Sequence, residues 1–322
     1  TGRGKIMPHN KNDIFANRGD GLFIAYVGME TDLIFTQGID LPGFASFPLL
    51  SSDAGRATLS KYFQDQIALA EVHDVGVILE SPTWVANRDR GAAIGYSPDD
   101  LATFNRDAIA LMAGIRETAS DVKTILSANI GPRSDAYAPD AQMTAEEAET
   151  YHEEQIKVLA ETAVDVISGY TLAYAAEAVG IVRAAKRYGL PVVISFTVET
   201  DGCLPTGAPL ADAIEAVDAA TDSYCSYFMI NCAHPDHFRA VLDGVSTRRL
   251  GGLVANASRC SHAELDNATE LDDGNPFELA QMLSDIRQEF PQIRVLGGCC
   301  GTDMRHMTEI ARAGTSVPVA IR

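Results

Sequence analysis

Ile293-Arg294-Val295-Leu296-Gly297-Gly298-Cys299-Cys300-Gly301-Thr302 decides how this chain is read. A short apolar run with a β-branched start passes into glycines and then into two adjacent thiols. Tyr227-Phe228-Met229-Ile230-Asn231-Cys232-Ala233-His234-Pro235 repeats the plan, with an apolar run ending at one thiol. Both runs read as buried strands followed by a polar turn. Working outward from them, the same punctuation recurs along the chain. Strands are predicted over 22–27, 75–80, 123–128, 164–168, 192–198, 227–230, 252–255 and 293–296. Helical spacing separates most of them. Leu59, Phe63, Ile67 and Ala70 mark a helix over 57–73, and Leu101, Phe104, Ile109 and Met112 mark one that starts at Asp99-Asp100. Thr144-Ala145-Glu146-Glu147 is a capping-box start, with its Glu three residues on. Further helices are expected over 179–188, stopped by Gly189-Leu190-Pro191, and over 209–220 and 277–290.

Continuous apolar strands joined by helices are the pattern of a parallel sheet buried on both faces. Eight such units in 322 residues point to a (β/α)8 TIM barrel, a single domain over 1–322. The runner-up is an open doubly wound sheet. No G-x-G-x-x-G follows the first strand, so nothing favours a dinucleotide. Residues 31–57 hold Gly38, Pro42, Gly43 and Pro48 and break the repeat, so they are expected to form a loop over the barrel mouth.

Composition narrows the partners. Lys and Arg total 25 against 44 Asp and Glu, a formal net charge of −19. Such a surface repels nucleic acid and anionic membranes. No stretch reaches the roughly 20 apolar residues of a membrane span. Six cysteines in this length make no disulfide framework, which fits a reducing cytoplasm. Residues 1–12 are polar, without a signal core, and are expected to be flexible or tag-derived. Homo-oligomeric assembly is left open.

Barrels keep their chemistry at the C-terminal ends of the strands. Here those ends carry Glu80, Asn129, Tyr170 or Tyr174, Glu199, Asn231, Cys232, Asn256, Cys299 and Cys300. If the barrel closes, Cys232, Cys299 and Cys300 meet. Three thiolates without a fourth protein thiol make a soft metal site with an open position, suited to Zn2+ that binds a substrate. Other readings stand beside this one. A lone Cys232 reads as a small core residue. Cys299-Cys300 reads also as a redox-active vicinal pair, and Gly297, Gly298 and Gly301 as a phosphate nest. His234 and His237 extend a Cys-x-His-x-x-His spacing. Trp84, Phe44, Phe47, Tyr26 and Tyr96 are candidates to face a cationic ligand.

At these residues the chain resembles the homocysteine S-methyltransferase family. Ile230-Asn231-Cys232 and Gly297-Gly298-Cys299-Cys300-Gly301-Thr302 match its two zinc-ligand motifs. Ser127-Ala128-Asn129-Ile130-Gly131-Pro132 is similar to its third-strand segment, and Gly28-Met29-Glu30-Thr31-Asp32-Leu33 to part of its first. The similarity runs over about 22–310. It implies a zinc barrel in which a small thiol, homocysteine first, accepts a methyl group from a small sulfonium or ammonium donor. It also implies that a tyrosine after the fourth strand, Tyr174 or else Tyr170, fills the metal's open position when substrate is absent. Substrate contacts are expected at Tyr26, Gly28, Thr31, Asn129, Glu199, Asn231 and Asn256, and catalytic roles at Tyr174 and Glu80. The family opens with Asp-Gly-Gly or Asp-Gly-Ala, whose Asp helps hold the substrate ammonium. Here the matching residues are Tyr26-Val27-Gly28, and the fourth-strand segment 169–174 lacks a Glu often found there. Glu80 or Glu199 is a candidate replacement. The departures keep two alternatives in play: methyl transfer or demethylation involving another thiol or sulfonium compound, and a non-catalytic metal- or redox-sensing barrel.

Overall fold

A computed structural model describes residues 14–15, 19, 21–139, 141–242 and 246–315. The expectation for 1–12 falls outside them. The strands are β1 (Phe23–Ile24), β2 (Gly76–Glu80), β3 (Thr124–Ile130), β4 (Val166–Leu172), β5 (Val192–Phe196), β6 (Phe228–Asn231), β7 (Leu250–Ala255) and β8 (Val295–Gly298). All pair in parallel, each with its neighbours in sequence, and β1 closes on β8 through Phe23↔Val295 and Ile24↔Leu296. Eight strands in unbroken order make this a closed (β/α)8 barrel. The open sheet is ruled out by the β1–β8 pairing.

Every strand residue is buried, as strands covered on both faces must be. Phe23, Val166, Val193, Met229, Val254 and Val295 fill the barrel interior. Ile24, Leu126, Ile167, Ile194, Ile230, Leu253 and Leu296 face the helical layer. Each fully buried Leu, Ile or Phe stabilises by about 1.5–3 kcal/mol before chain entropy is set against it. The caps follow the sequence. Ser52 opens the helix Asp53–Val72, Ser97 opens Pro98–Thr118, and Thr144 opens Ala145–Leu159, the latter two as reciprocal capping boxes.

The segment before Asp53 is not a plain loop. It winds through short helical turns at Met29–Thr31, Asp32–Thr36, Pro42–Phe44 and Phe47–Ser51. These turns fold it over the C-terminal end of the barrel and set Glu30, Phe44 and Ser46 near the thiols. Among the described residues, no helix is long and apolar enough to cross a membrane.

Candidate active site and metal centre

Cys232 is the first residue past β6 and takes φ 57°, a left-handed conformation uncommon for a non-glycine residue. That conformation costs about 1 kcal/mol or more, and such strain gathers at functional sites. It turns the thiol inward, and the Cys232 N–H donates to the Val254 carbonyl at 3.1 Å. Strand neighbours face opposite ways, so Cys299 and Cys300 converge only because the chain turns where β8 ends. The Cys299 N–H donates to the Ala255 carbonyl at 2.7 Å, and the Cys300 carbonyl accepts from the Ala257 N–H at 3.1 Å. Gly301 completes the turn at φ 78°.

The first strand's end packs against this turn. The Gly28 N–H donates to Thr302 Oγ1 at 3.0 Å, the Thr302 hydroxyl donates to the Cys299 carbonyl at 2.6 Å, and the Gly301 N–H donates to Thr31 Oγ1 at 3.2 Å. A Cβ at residue 28 would lie 2.4 Å from the Cys299 carbonyl oxygen, so the close approach requires Gly28. Gly298, Cys299, Gly301 and Thr302 all donate their N–H groups within the protein. That leaves no nest of free amides for a phosphate.

The three Sγ atoms lie within 4.8 Å of one another, with Cys232 Sγ 3.5 Å from Cys300 Sγ. Neighbouring sulfurs of a tetrahedral zinc site, with Zn–S bonds near 2.3 Å, stand roughly 3.8 Å apart, so the donor set fits zinc. Hydrogen bonds from Cys299, Cys300 and Tyr137 hold the Cys232 thiol well below its ordinary pKa. Their hydrogen bonds to Cys232, together with burial, push Cys299 and Cys300 well up. Asn231 Nδ2 stands 3.9 Å from Cys299 Sγ and donates to Thr171 Oγ1 at 2.8 Å, while its Oδ1 accepts from the Thr171 N–H and the Ser195 hydroxyl. Asn231 therefore ties β4, β5 and β6 together beneath the sulfurs.

Two cavities meet at the thiols. The inner one, about 50 Å3, is lined by Tyr26, Gly28, Glu30, Thr31, Asn129, Tyr170, Thr171 and Asn231. The outer one, about 350 Å3, is lined also by Asn256, Ser258, His262, Arg90, Asp135, Asp266, Glu270 and Asp272. Thr31, Phe44, Trp84, Tyr137, Cys232 and Cys300 line both.

Tyr26 points its hydroxyl at Glu30 and donates to Oε2, while the Ser46 hydroxyl donates to Oε1 at 2.7 Å. Burial pushes the Glu30 carboxyl up to about 7. Beneath the inner cavity lies Glu80, raised to about 7 by burial, with the Tyr170 hydroxyl donating to Oε1 at 3.1 Å and Oε2 without a partner. Asn129 Oδ1 and Asn256 Oδ1 are buried and unpartnered, one on each cavity.

The structure gathers Tyr26, Gly28, Thr31, Asn129, Asn231, Cys232, Cys299 and Cys300 around the inner cavity. It puts Glu80 just below and Asn256 in the outer cavity. Two sequence expectations land elsewhere. Tyr174 precedes the helix Ala175–Arg187, and its hydroxyl accepts from the Met143 N–H at 3.1 Å. It lines neither cavity. Glu199 likewise lines neither, and its backbone N–H closes a turn on the Cys203 carbonyl.

The tyrosine at the thiols is Tyr137, in the segment after β3: its hydroxyl lies 2.9 Å from Cys232 Sγ, and its ring stacks on His262 at 4.1 Å. His234 and His237 stay out of the thiol cluster. His234 Nδ1 caps Asp236, and His237 Nε2 meets the Arg259 carbonyl at 2.9 Å. Phe47 and Tyr96 pack on Phe104 in the helical layer instead of facing the site. Glu30, Ser46 and Tyr137 were not expected from sequence. Only Glu30 had a local signal, standing within the first-strand segment next to the substituted Tyr26.

Fold and site together define a (β/α)8 barrel with a tri-thiol cluster able to hold a metal ion at the C-terminal ends of β6 and β8. A family model described as "Homocysteine S-methyltransferase" matches residues 39–314. The chain belongs to the homocysteine S-methyltransferase family. It is 25% identical over 197 residues to Homocysteine S-methyltransferase YbgG of Bacillus subtilis, covering 59% of this chain and 61% of that protein. It is 29% identical over 167 residues to a Methionine synthase of Mycobacterium leprae, covering 48% of this chain and 12% of that much longer protein. Thus the chain spans less than two thirds of the curated relatives it matches. The fold is shared with the metallated form of the Homocysteine Methyltransferase MmuM from Escherichia coli, at TM-score 0.69 and 16% identity over 94% of this chain and 99% of that one. The oxidised form of MmuM matches at TM-score 0.71 and 18% identity over the same shares.

Proposed function

We propose that this barrel transfers a methyl group from a small sulfonium or ammonium donor to a thiol, homocysteine first, at a Zn2+ held by Cys232, Cys299 and Cys300. The observation that carries the reading is the convergence of three thiols, remote in sequence, to within 4.8 Å beside two adjoining cavities. Zinc bound there would hold a substrate thiol ionised at neutral pH, where a free thiol of pKa about 8.5 is mostly protonated.

The chain's own residues do the rest. The inner cavity takes the acceptor. Its ammonium meets the Glu30 carboxylate and the unpartnered Asn129 Oδ1, so Glu30 stands in for the family's Asp while Tyr26 and Ser46 orient it. Asn231 and Thr171 fix the floor beneath the sulfurs. The outer cavity takes the donor, and Trp84, Phe44 and Tyr137 offer aromatic surface to its methylated cation. In the transfer, the acceptor thiolate forms a new S–CH3 bond. The donor's bond from that methyl to sulfur or nitrogen breaks, and its electron pair stays on the donor atom, which leaves neutral. Three free thiols this close together need a reducing compartment to stay reduced, and a cytoplasmic setting belongs to the same reading.

The test is zinc stoichiometry followed by a donor–acceptor screen under reducing conditions. One zinc per chain and methionine from homocysteine support the proposal. Turnover of another thiol above homocysteine would reassign the acceptor. A chain that takes up no zinc under reducing conditions, or zinc-loaded protein inactive with every pair, would end the proposal.

A further inference from the structure

Arg90 is the sole lysine or arginine lining either cavity among the described residues. Its neighbours are matched by acids: Arg88 pairs with Asp89 at 3.2 Å, and Arg133 pairs with Asp89 at 2.6 Å. Arg90 has no such pairing. Its guanidinium lies 4.4 Å over the Trp84 ring, and Nη1 is buried without a hydrogen-bond partner. Burial lowers its pKa from the usual guanidinium range, with Asp135 only partly offsetting this. A desolvated cation with unused donors is costly to maintain. Guanidinium is also the side chain that fits a carboxylate in a two-pronged hydrogen bond.

Its position gives that cation a use. Cys232, Cys300, Phe44, Trp84 and Arg90 all line the outer cavity, so the cation and the thiols share one chamber. Resting on the proposed methyl transfer, we infer that Arg90 binds the carboxylate of an onium methyl donor lying in the outer cavity. The donor is then a zwitterion, with its methylated cation on the aromatic surface by the thiols and its carboxylate on the guanidinium. Arg90 positions the donor and sets its specificity without touching the transferred methyl.

Trp84 is the one tryptophan of the chain, so its fluorescence reports on this cavity without requiring turnover. The zinc-loaded full chain is titrated with S-methylmethionine and with its carboxamide. The carboxylate form should bind about tenfold or more tightly, the loss expected for one charge-assisted pair. Arg90→Met should bring the two within about twofold, while Arg90→Lys retains part of the preference and shows that the site still folds. In turnover, Arg90→Met should raise the donor KM and leave kcat nearly unchanged. Equal binding of the two ligands by the native protein, or a preference that survives Arg90→Met, overturns the inference. Discriminating binding that is lost in Arg90→Met, but without methyl transfer from any donor, upholds the carboxylate site and sinks the transfer reading. Unaltered transfer in Arg90→Met does the reverse.

Discussion

The ends of β6 and β8 and the end of β1 face one another across the same small cavity, yet they carry their chemistry differently. At β6 and β8 the functional atoms belong to residues that follow the strands directly, in motifs that match the family: Asn231-Cys232 and Gly298-Cys299-Cys300. Just past β1, Tyr26 stands where the family has Asp, and the carboxylate comes four residues later, from Glu30 in the turn above. The first end is proposed to hold an ion, and backbone hydrogen bonds from Cys232 and Cys299 to β7 fix its turns. The second is proposed to read a ligand, with the Glu30 carboxyl in the cavity taking the part of the family's Asp. Metal chemistry tolerates little displacement because bond lengths are fixed near 2.3 Å. A charge–charge contact to a substrate tolerates more, because it decays slowly with distance.

This contrast can be broken at either end. The largest effect belongs to the thiols. Cys232→Ala or Cys300→Ala should release zinc and lower transfer by more than the roughly 10–100-fold that loss of a supporting residue costs; metal analysis with a turnover assay reads it. Next comes Glu30→Gln, which keeps the shape and removes the charge. The acceptor KM should rise about tenfold or more while zinc stays at one per chain. In the native protein that KM should fall as pH rises through about 7, the carboxyl's raised value, and Glu30→Gln should flatten this part of the profile.

Tyr137→Phe removes a donor from Cys232 Sγ and should weaken zinc by about tenfold in chelator competition. Tyr174→Phe, whose hydroxyl serves Met143, should stay within about twofold of the native enzyme. A separate effect, outside the ranking of activity, is on stability. Glu30 and Glu80 both have folded pKa values near 7, above the ordinary 4.5. The folded ligand-free protein therefore binds more protons than the unfolded chain between about pH 4.5 and 7. Its stability should fall as pH rises across that window and level off above it, by up to roughly 3 kcal/mol per group. Denaturant titrations at pH 5.5 and 8 should show the fall, and Glu30→Gln or Glu80→Gln should each shrink it.

Those loop-borne residues also mark where sequence reading runs out. The barrel was legible because each strand is an apolar run between turn signals, and hydrophobic periodicity carries directly into topology. Its details shifted where pairing, not pattern, sets the ends. The strand predicted over 22–27 is regular only at Phe23–Ile24, since the chain beyond Ile24 leaves the ladder to pack on the β8 turn. The fourth strand runs on to Leu172 through a register shift after Gly169. The cysteines were legible because thiols at strand ends are few. Tyr137 was not: it lies in an irregular segment, and nothing local says that its ring will stack on His262 and reach Cys232. Glu199 looked suitable because it follows β5, but the chain turns it away into the loop closed on Cys203.

X-ray absorption at the zinc edge of the purified chain, with and without homocysteine, bears most directly on the tri-thiol centre. The account predicts three sulfur neighbours near 2.3 Å in the resting protein and a fourth sulfur when the thiol is added. Zinc with fewer than three sulfur neighbours, or a sulfur count unchanged by saturating homocysteine, would contradict it.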